Sequence, residues 1–424
     1  MQHGHRVTVG RMSGSAIVVG AGVIGCATAL ALQRDGWAVR LLDPNPPGEA
    51  CSAGNAGHLG TASVLPMATP QQIRALPRLL RQADGPLAVH WPYVLRNLPW
   101  FVRFVANGRG PRMEANARAL AELLEPVPAA WATLAASAGA ESLVERRGLL
   151  HVWADPAAYR AAGWSYDLRR RLGIRVDDWD AARAKAAEPA LDGALAGARM
   201  LPDVASVTDP LELTRRIVNR FTAAGGHLLR QRVRALTRQG RRVIGVRCDY
   251  SQLEADLIVL AAGAWSEALA RGLGVRVRVV AERGYNVTLA PNGAAPRLPL
   301  LLAEPRIAVS SMARGLRLTT MAEFAAPEAQ ADYGRAERVF RLAKALLPQL
   351  PATVTDRWVG SRPSTPDSLP VIGRAPNAAN VLLAYGHGHL GLTLAATTAE
   401  AIADLAAQRA PQAFVHVCSP QRSP

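Results

Sequence analysis

The chain has 424 residues, 49% of them hydrophobic, and a formal net charge of +16. This length and composition favour a globular protein of two domains, and the sequence contains no run of about 18 apolar residues that could span a membrane. The cations are almost all scattered arginines, with lysine only at Lys185 and Lys344. Because no basic run is interleaved with aromatic residues, we expect no nucleic-acid partner.

The N-terminus and the cysteines indicate the compartment. Residues 1–14 lack the apolar core of a signal peptide, so we expect a cytoplasmic protein with a loose N-terminus, and Met1 and Met12 both remain open as its start. The cysteine spacings match neither CxxC pairs nor zinc ligands, which predicts free thiols in a reducing compartment and no metal site. The four cysteines lie far apart, at Cys26, Cys51, Cys248 and Cys418.

A glycine-rich turn follows the first apolar run. The segment Ile17–Gly36 predicts a strand that ends at Val19, a GxGxxG turn and an alanine-rich helix, with glycines at Gly20, Gly22 and Gly25. This arrangement binds dinucleotides, because the glycines allow a tight turn, close approach of the diphosphate to the backbone, and close packing of helix on strand. The diphosphate then lies at the helix N-terminus, which favours anions.

An acidic residue ends the next predicted strand. The run WAVRLLD leads to Asp43, and an acid about 20 residues after the turn accepts hydrogen bonds from a ribose. The turn and the acid leave NAD and FAD open as the cofactor. The sequence contains no second GxGxxG for a separate nicotinamide site.

Two interpretations remain open for the apolar, aromatic and basic segment Val89–Arg109. It is either an element that lies on a membrane surface, where a quinone would be within reach, or a helix packed between domains. The surrounding residues 86–200 are rich in Ala, Arg and Trp and mostly helical in pattern. A strand is expected at Arg146–Ala154.

The second half of the chain alternates helix and strand signals. Asp209 is a candidate N-cap, Pro210 suits the first helical position and Gly225 follows the helix end. Strands are then expected in RRVIGVRCDY and EADLIVLAAGAWS. Residues 275–320 alternate short strand-like runs with turns, which predicts a mainly antiparallel sheet. The last 70 residues return to strand, glycine turn and helix, and residues 411–424 are expected to be loose.

Five later segments carry a resemblance to a known family. DLIVLAAGAWS resembles the second glycine signature of flavoproteins of the glutathione-reductase type, and GGHLLRQRVRAL resembles the strand pair that contacts adenine. SAGNAGHLGTASVLPMATP resembles the loop that runs along the flavin. The block Trp358–Leu405 and the run ERGYNVTL complete the match. The chain resembles the D-amino-acid oxidase/dehydrogenase superfamily of FAD enzymes, and most closely the bacterial D-amino-acid dehydrogenases.

The resemblance implies an α/β fold with a discontinuous Rossmann-like FAD-binding domain and an inserted α+β substrate domain with an antiparallel sheet. The expected boundaries are 15–85, 200–280 and 355–410 for the FAD-binding domain, 86–199 and 281–354 for the substrate domain, and 1–14 and 411–424 for the termini. It also implies non-covalent FAD, because Gly360, Ser361 and Arg362 stand where some relatives carry a tethering cysteine. The expected cofactor contacts are Gly20, Gly22, Val23, Ile24, Asp43, Ser52, Asn55, Ala56, Gly57, Val233, Ala262, Gly263, Trp265, Gly388, Leu390, Gly391, Leu392 and Thr393.

The resemblance implies roles for three further residues. Arg362 falls where the family's carboxylate-binding arginine lies, and Tyr285 is expected to donate its hydroxyl to the same carboxylate. His58 is expected either to contact the flavin edge or substrate, or to pack. Related sequences often have histidine in place of Asn286, which implies an altered substrate choice.

The expected activity is oxidation of the C–N bond of a D-amino acid, with electrons passed to a quinone or another carrier. Oxidation of a secondary amino acid such as a D-proline derivative, use of oxygen, and an inactive flavin-containing subunit of a complex remain open as alternatives. Contact with the inner membrane, the amino acid itself and the oligomeric state are left open by the sequence.

Overall fold

The computed structural model describes residues 14–82, 85–291 and 295–424. The strands are β1 Gly14–Val19, β2 Trp37–Leu42, β3 His58–Leu59, β4 Leu87–Val89, β5 Val144–Glu145, β6 Leu149–Trp153, β7 Asp177–Trp179, β8 Gly197–Leu201, β9 Ala205–Val207, β10 His227–Leu229, β11 Val233–Gln239, β12 Arg242–Cys248, β13 Gln252–Glu254, β14 Leu257–Leu260, β15 Val280–Leu289, β16 Leu300–Leu302, β17 Ile307–Met312, β18 Gly315–Phe324, β19 Val354–Ser364, β20 Val371–Ala375 and β21 Ala378–Tyr385.

The helices are α1 Val23–Arg34, α2 Pro70–Arg81, α3 Trp91–Arg96, α4 Leu98–Asn107, α5 Gly110–Leu124, α6 Val127–Ala138, α7 Pro156–Ala161, α8 Gly163–Arg171, α9 Ala181–Ala187, α10 Pro210–Ala223, α11 Ser266–Leu269, α12 Tyr333–Arg341 and α13 Ala395–Ala406. Short 3-10 helices occur at Glu141–Leu143, Gly263–Trp265, Leu342–Ala345, Gly388–Leu390 and Ala413–Val415.

A six-stranded sheet forms the first part of the fold, in the order β10-β2-β1-β14-β21-β20. All neighbours are parallel except β20, which is antiparallel to β21. Successive side chains of β1 point to opposite faces, as in any strand. Ala16 and Val18 pack against the helices α1, α6, α10 and α13, whereas Ile17 and Val19 pack toward the antiparallel sheet β11-β12-β13. This is the Rossmann-like arrangement that the sequence predicts.

Helix α10 forms as its capping signals predict. The Asp209 carboxylate accepts hydrogen bonds from the backbone N–H groups of Leu211 and Glu212, and Pro210 is the first helical residue. Gly225, just beyond the helix, has a φ of 89°, a conformation that glycine adopts without strain. The expected cap residues are therefore confirmed.

A nine-stranded sheet forms the second part, in the order β19-β15-β18-β17-β16-β6-β8-β7, with β4 pairing alongside β18. The sheet is mixed, because β16 runs parallel to β6 and β18 runs parallel to β4. The other pairs are antiparallel, so the expectation of a mainly antiparallel sheet holds. One face packs on α12 and Leu342–Ala345, and the other face borders the cavity described below.

Two observations bear on the expected domain boundaries, which stay a prediction. Strand β19 begins at Val354 and pairs with β15 of the nine-stranded sheet, although the expected FAD-binding domain includes residues 355–364. The C-terminal tail differs from the loose segment expected. Phe414 and Cys418 are buried, and Arg422 forms an ion pair with Asp367 at 2.7 Å. Apolar residues spaced among the polar ones of this tail anchor it.

Of the expected loose segment 1–14, residues 1–13 lie outside the described residues, and Gly14 is the first residue of β1. Within the described ranges, no helix is long and apolar enough to cross a membrane. The four cysteines are free thiols.

Candidate active site

A cavity of about 1000 Å³ is bordered by residues of both large sheets. It is lined by 19 of the 21 residues that the sequence singles out, since only Gly57 and Tyr285 are missing from its wall. The structure therefore brings together residues that lie up to 373 positions apart in the chain, from Gly20 to Thr393. The wall also contains residues that the sequence interpretation did not select, chiefly Glu282, Arg306 and Met321.

The glycine turn forms one end of the cavity. Gly20 has a φ of 106°, and a Cβ there would lie 2.5 Å from the carbonyl oxygen of Ala261. A Cβ on Gly25 would lie 1.7 Å from the carbonyl oxygen of Gly20, so α1 can approach β1 only with glycine at this position. A Cβ on Gly22 would meet only the Ser52 hydroxyl, at 3.6 Å. Gly20 and Gly25 thus serve packing, whereas Gly22 faces open space in the cavity.

Asp43 and Ser52 complete this end. The Asp43 carboxylate accepts hydrogen bonds from the backbone N–H groups of Ala21 and Asn45, both at 2.8 Å. The Ser52 hydroxyl accepts the N–H of Val23 at 2.9 Å and thereby satisfies one donor of the first turn of α1. The loop after β2 is therefore tied to the helix N-terminus, the part of a helix that attracts anions.

At the other end of the cavity, Thr393 joins the loop that contains Gly60 to the stretch that follows the Gly388–Leu390 turn. The Thr393 hydroxyl accepts the N–H of Gly60 at 2.9 Å, and its carbonyl accepts the indole N–H of Trp131 at 2.8 Å. The Gly388–Leu390 turn leads from β21 toward α13, which begins at Ala395. The stretch between them borders the cavity with Gly391 and Leu392.

Hydrogen-bond directions fix the state of His58. The Ser310 hydroxyl donates to the Ala56 carbonyl at 2.8 Å, so its oxygen accepts the Nε2–H of His58 at 2.9 Å. Burial lowers the pKa of His58 to about 4, which keeps the imidazole neutral near pH 7. His58 therefore borders the cavity as an uncharged residue whose Nδ1 is a hydrogen-bond acceptor.

Arg362 lies on the cavity face of β19. Its Nη1 donates to the Glu282 carboxylate at 3.1 Å and to the Met321 carbonyl at 2.9 Å. Within the described residues its Nε and Nη2 have no hydrogen-bond partner. One edge of the guanidinium is thus fixed by the protein, and the remaining donors are free for a ligand.

The strand geometry makes room for this arginine. Gly284 lies on β15 beside β19, and a Cβ there would be 2.0 Å from the Arg362 Nη2. A register shift sets Met321 and Ala322 of β18 opposite Gly284, and Met321 has a φ of 71°. Such a bulge re-aims the backbone of one strand. Here the Met321 carbonyl accepts a hydrogen bond from Arg362.

The predicted role of Tyr285 is wrong. Tyr285 is fully buried on the opposite face of β15, where its hydroxyl donates to Glu323 at 2.6 Å and accepts the Asp332 N–H at 3.2 Å. Burial, followed by the bond to Glu323, raises its pKa to about 12. Because side chains alternate along a strand, Glu282 borders the cavity, whereas Arg283 and Tyr285 point to the opposite face of β15.

One further expectation is also corrected. Gly57 does not line the cavity, because its carbonyl pairs with the N–H of Val207 at 2.7 Å and its φ is 80°. Asn286 does not line the cavity either. Its Nδ2 donates to the Gly54 carbonyl at 3.0 Å, so the residue anchors the loop between β2 and β3.

A model of the DAO family of FAD dependent oxidoreductases matches residues 15–405. The chain belongs to this family. It is 32% identical to a D-amino-acid oxidase of Bradyrhizobium diazoefficiens over 96% of its length and 98% of the relative's. It is 34% identical to a D-amino acid dehydrogenase 2 of Ralstonia nicotianae, over 93% and 96% of the two chains.

A solved structure shares the fold. Glycine oxidase from Geobacillus kaustophilus superimposes with a TM-score of 0.74 at 21% identity, and the match covers 97% of this chain and 99% of that one. The α/β fold with a Rossmann-like FAD-binding part is therefore that of the FAD dependent oxidoreductases.

The cavity of this FAD dependent oxidoreductase suits its cofactor. Gly22 leaves open space at the N-terminus of α1, where the diphosphate would lie, and Asp43 would accept the ribose hydroxyls. Val233 would border the adenine, and the stretch Gly388–Thr393 would border the flavin ring. The small residues Ala262 and Gly263 allow a ligand to approach the backbone closely.

One feature of the sequence could have identified a cavity residue that sequence reasoning missed. Gly284 stands inside a strand pattern, and such a glycine marks a close approach or a bulge in a neighbouring strand. The alternation of β15 could then have selected Glu282 over Tyr285. Nothing in the sequence marks Met321.

Within the described ranges, no group of three His, Cys, Asp or Glu side chains could hold a metal ion.

Proposed function

We propose that this FAD dependent oxidoreductase oxidises the C–N bond of a D-amino acid to an imino acid, which water hydrolyses to a 2-oxo acid and ammonia. The names of its relatives support this assignment. The observation that carries it is the free edge of the guanidinium of Arg362, a residue of the cavity wall. FAD, when bound, would supply the acceptor for the two electrons and the hydrogen that leave Cα.

Arg362 binds the substrate carboxylate and orients Cα. A planar guanidinium can donate two parallel hydrogen bonds to a carboxylate, which fixes the direction as well as the position of the ligand. Because Nη1 already donates to Glu282 and to the Met321 carbonyl, the edge formed by Nε and Nη2 is the one that meets the substrate.

An apolar wall supports a substrate with an apolar side chain. Helix α2 contributes half-buried aliphatic residues to the cavity, and aromatic residues come from α4 and β18. The side chains concerned are Ile73, Leu76, Leu79, Phe104 and Phe324.

An anaerobic substrate panel tests the proposed function. The purified holoenzyme is mixed with D- and L-enantiomers of apolar, charged and secondary amino acids, and the flavin absorbance is followed. We expect bleaching by D-amino acids, fastest with apolar side chains. Bleaching by L-amino acids alone, or by no amino acid, would contradict the proposal.

We also propose that FAD is bound without a covalent link. Cys51 is the only cysteine in the cavity wall formed by the described residues, and its thiol donates to the Ser361 carbonyl at 2.9 Å. Burial raises its pKa to about 11, which keeps it protonated. Acid precipitation should leave the yellow colour in the supernatant. A yellow pellet from the wild type, lost in Cys51→Ser, would identify a tether.

Helices α3 and α4 support a membrane-bound electron acceptor. Trp100 and Phe104 pack inward with Phe324, whereas Leu95 is 66% exposed and Val102 is 60% exposed. Trp91, Leu98 and Val105 extend this exposed apolar surface, and basic side chains flank it at Arg96, Arg103 and Arg109. An apolar helix face with flanking cations binds anionic lipid surfaces, where a quinone is available.

Vesicle co-sedimentation tests this contact. We expect the holoenzyme to pellet with vesicles that contain phosphatidylglycerol, and Leu95→Glu/Val102→Glu to remain in the supernatant. The matched control Glu114→Gln changes one charge on α5. Equal pelleting of both variants would contradict the contact.

The electron acceptor is tested by comparing two rates during turnover, that of peroxide formation and that of reduction of an artificial dye. Peroxide formed as fast as the dye is reduced would show that oxygen is the acceptor.

A further inference from the structure

Glu282 and Arg362 form a buried ion pair in the cavity wall. They are direct cross-strand neighbours on β15 and β19, and Glu282 Oε1 lies 3.1 Å from Arg362 Nη1. Glu282 is 2% exposed, and its Oε2 accepts the Ser364 hydroxyl at 2.7 Å. A carboxylate thus lies immediately beside the cation that binds the substrate carboxylate in the proposed function.

Both members of the pair keep free hydrogen-bonding capacity. An ionised carboxylate can accept about four hydrogen bonds, and among the described residues Glu282 accepts only those of Arg362 and Ser364. Arg362 retains Nε and Nη2. The pair can therefore bind a donor group and an acceptor group of one ligand at the same time.

Charge balance decides which ligand fits. When a substrate carboxylate binds Arg362, one positive charge faces two negative charges inside the protein, and a buried uncompensated charge is costly. An ammonium group on the same ligand restores neutrality and supplies the missing donors. An α-amino acid carries both groups on one carbon, whereas a 2-hydroxy acid or a simple carboxylic acid does not.

No other acid in the described part of the cavity can take this place. The only other acidic residue of its wall is Asp43, which lies beside the glycine turn and accepts the N–H groups of Ala21 and Asn45. A Cβ on Gly388, in the turn that borders the expected flavin site, would lie 3.8 Å from the Oγ of Ser364, whose hydroxyl donates to Glu282. The pair therefore lies next to that turn.

We propose that Glu282 is the ammonium-binding residue of the substrate site, and that with Arg362 it selects zwitterionic amino acids over carboxylic acids that lack the amino group. This inference rests on the proposed function, because it assumes that Arg362 binds the substrate carboxylate. Glu282 contacts the substrate directly in this proposal. A residue that only positioned Arg362 would affect every carboxylate ligand equally.

The test is an equilibrium binding measurement that involves no turnover. 2-Aminoisobutyrate has no hydrogen on Cα and cannot be oxidised there, and isobutyrate is the same acid without the amino group. Each is titrated into wild type and Glu282→Gln holoenzyme, and binding is read from the flavin absorbance. The matched control is Glu337→Gln, which removes a half-buried carboxylate on α12 that pairs with Arg357 outside the cavity wall.

We expect wild type to bind 2-aminoisobutyrate at least 10-fold more tightly than isobutyrate, a difference typical of a charge-assisted hydrogen bond. In Glu282→Gln the affinity for 2-aminoisobutyrate should fall about 10–100-fold, and the affinity for isobutyrate should stay or rise because a negative neighbour of Arg362 is gone. Equal weakening of both ligands, or no change in either, would overturn the proposal.

The outcome is separable from that of the proposed function. A Glu282-dependent preference for 2-aminoisobutyrate in an enzyme that no D-amino acid bleaches would refute the activity and keep the ammonium site. Bleaching by D-amino acids with equal weakening of both ligands in Glu282→Gln would keep the activity and refute the site. Bound FAD and the urea unfolding midpoint of each variant show that the fold is intact.

Discussion

The glycine turn at α1 and the wall around Arg362 are built in different ways. The glycines of the turn lie within a few residues of one another in the sequence. They act through contacts between β1, α1 and the end of the neighbouring β14. The wall comes from three strands, β15, β18 and β19, and depends on their register and on a bulge at Met321. A local motif fixes its own geometry, whereas a wall of strands takes its geometry from their pairing.

The largest expected effect comes from removing the guanidinium. Arg362→Ala alone would leave Glu282 buried and unpaired, so the change is made in a Glu282→Gln background. Relative to Glu282→Gln, the double variant should lose about 10²–10³ in kcat/KM for the best D-amino acid, or roughly 3–4 kcal/mol. Steady-state kinetics with a dye acceptor measures the loss.

Two controls accompany this prediction. Arg362→Lys should recover only part of the activity, because an ammonium cannot form two parallel hydrogen bonds. An amine that lacks the carboxylate should be oxidised by wild type and variant at similar rates. An equal defect on that amine would mean that the substitution damages the site in general, and the carboxylate-binding residue would have to be sought elsewhere.

The second prediction separates packing from ligand approach in the glycine turn. Gly25→Ala places a Cβ 1.7 Å from the Gly20 carbonyl oxygen, so α1 must move away from β1. Overpacking of this kind costs about 1–3 kcal/mol of unfolding free energy, and we expect it to release FAD. Gly22→Ala meets only Ser52, at 3.6 Å, and should weaken FAD binding with little change in the stability of the apoprotein.

Urea unfolding of the apoproteins and FAD titration measure the two effects. If Gly22→Ala destabilises the apoprotein as much as Gly25→Ala, the two glycines do not have the distinct roles assigned to them.

The same contrast explains what the sequence could predict. The turn, Asp43, the caps of α10 and Arg362 follow from local patterns or from a long matched block, and 19 of 21 selected residues line the cavity. Tyr285 was assigned wrongly because the face of a strand depends on its partners. Gly284 inside β15 is the one local signal that points to Glu282, whereas the role of Met321 arises only when β15, β18 and β19 pair.

The third prediction concerns the effect of acid on His387, a residue of the cavity wall that follows β21. His387 is buried, its Nε2 lies 3.0 Å from the Thr398 hydroxyl, and burial lowers its pKa to about 3. In the unfolded chain the imidazole of His387 is protonated as the pH falls through its ordinary pKa of 6.5. In the folded protein the same imidazole stays uncharged. The stabilisation by neutral His387 is therefore complete above that value and is lost progressively below it.

We expect His387 to lower the free energy of unfolding by about 2 kcal/mol between pH 7 and pH 5. Urea unfolding of wild type, His387→Gln and the exposed control His227→Gln at both pH values measures it. The loss should be smaller in His387→Gln only. The same slope in all three proteins would assign the acid sensitivity to other groups.

Gly284→Ala tests most directly the central claim that strand pairing sets the position of Arg362. The new Cβ would meet the end of the flexible Arg362 side chain, 2.0 Å from Nη2, so the guanidinium must shift while the strand remains. Gly110→Ala, which meets no atom within 4 Å, is the control. The measurement is the rate constant of anaerobic flavin reduction by the best D-amino acid. A rate about 10–100-fold slower in Gly284→Ala alone, with normal FAD content, is the expected result, since a small displacement of an orienting group has effects of this size. An unchanged rate would contradict the account.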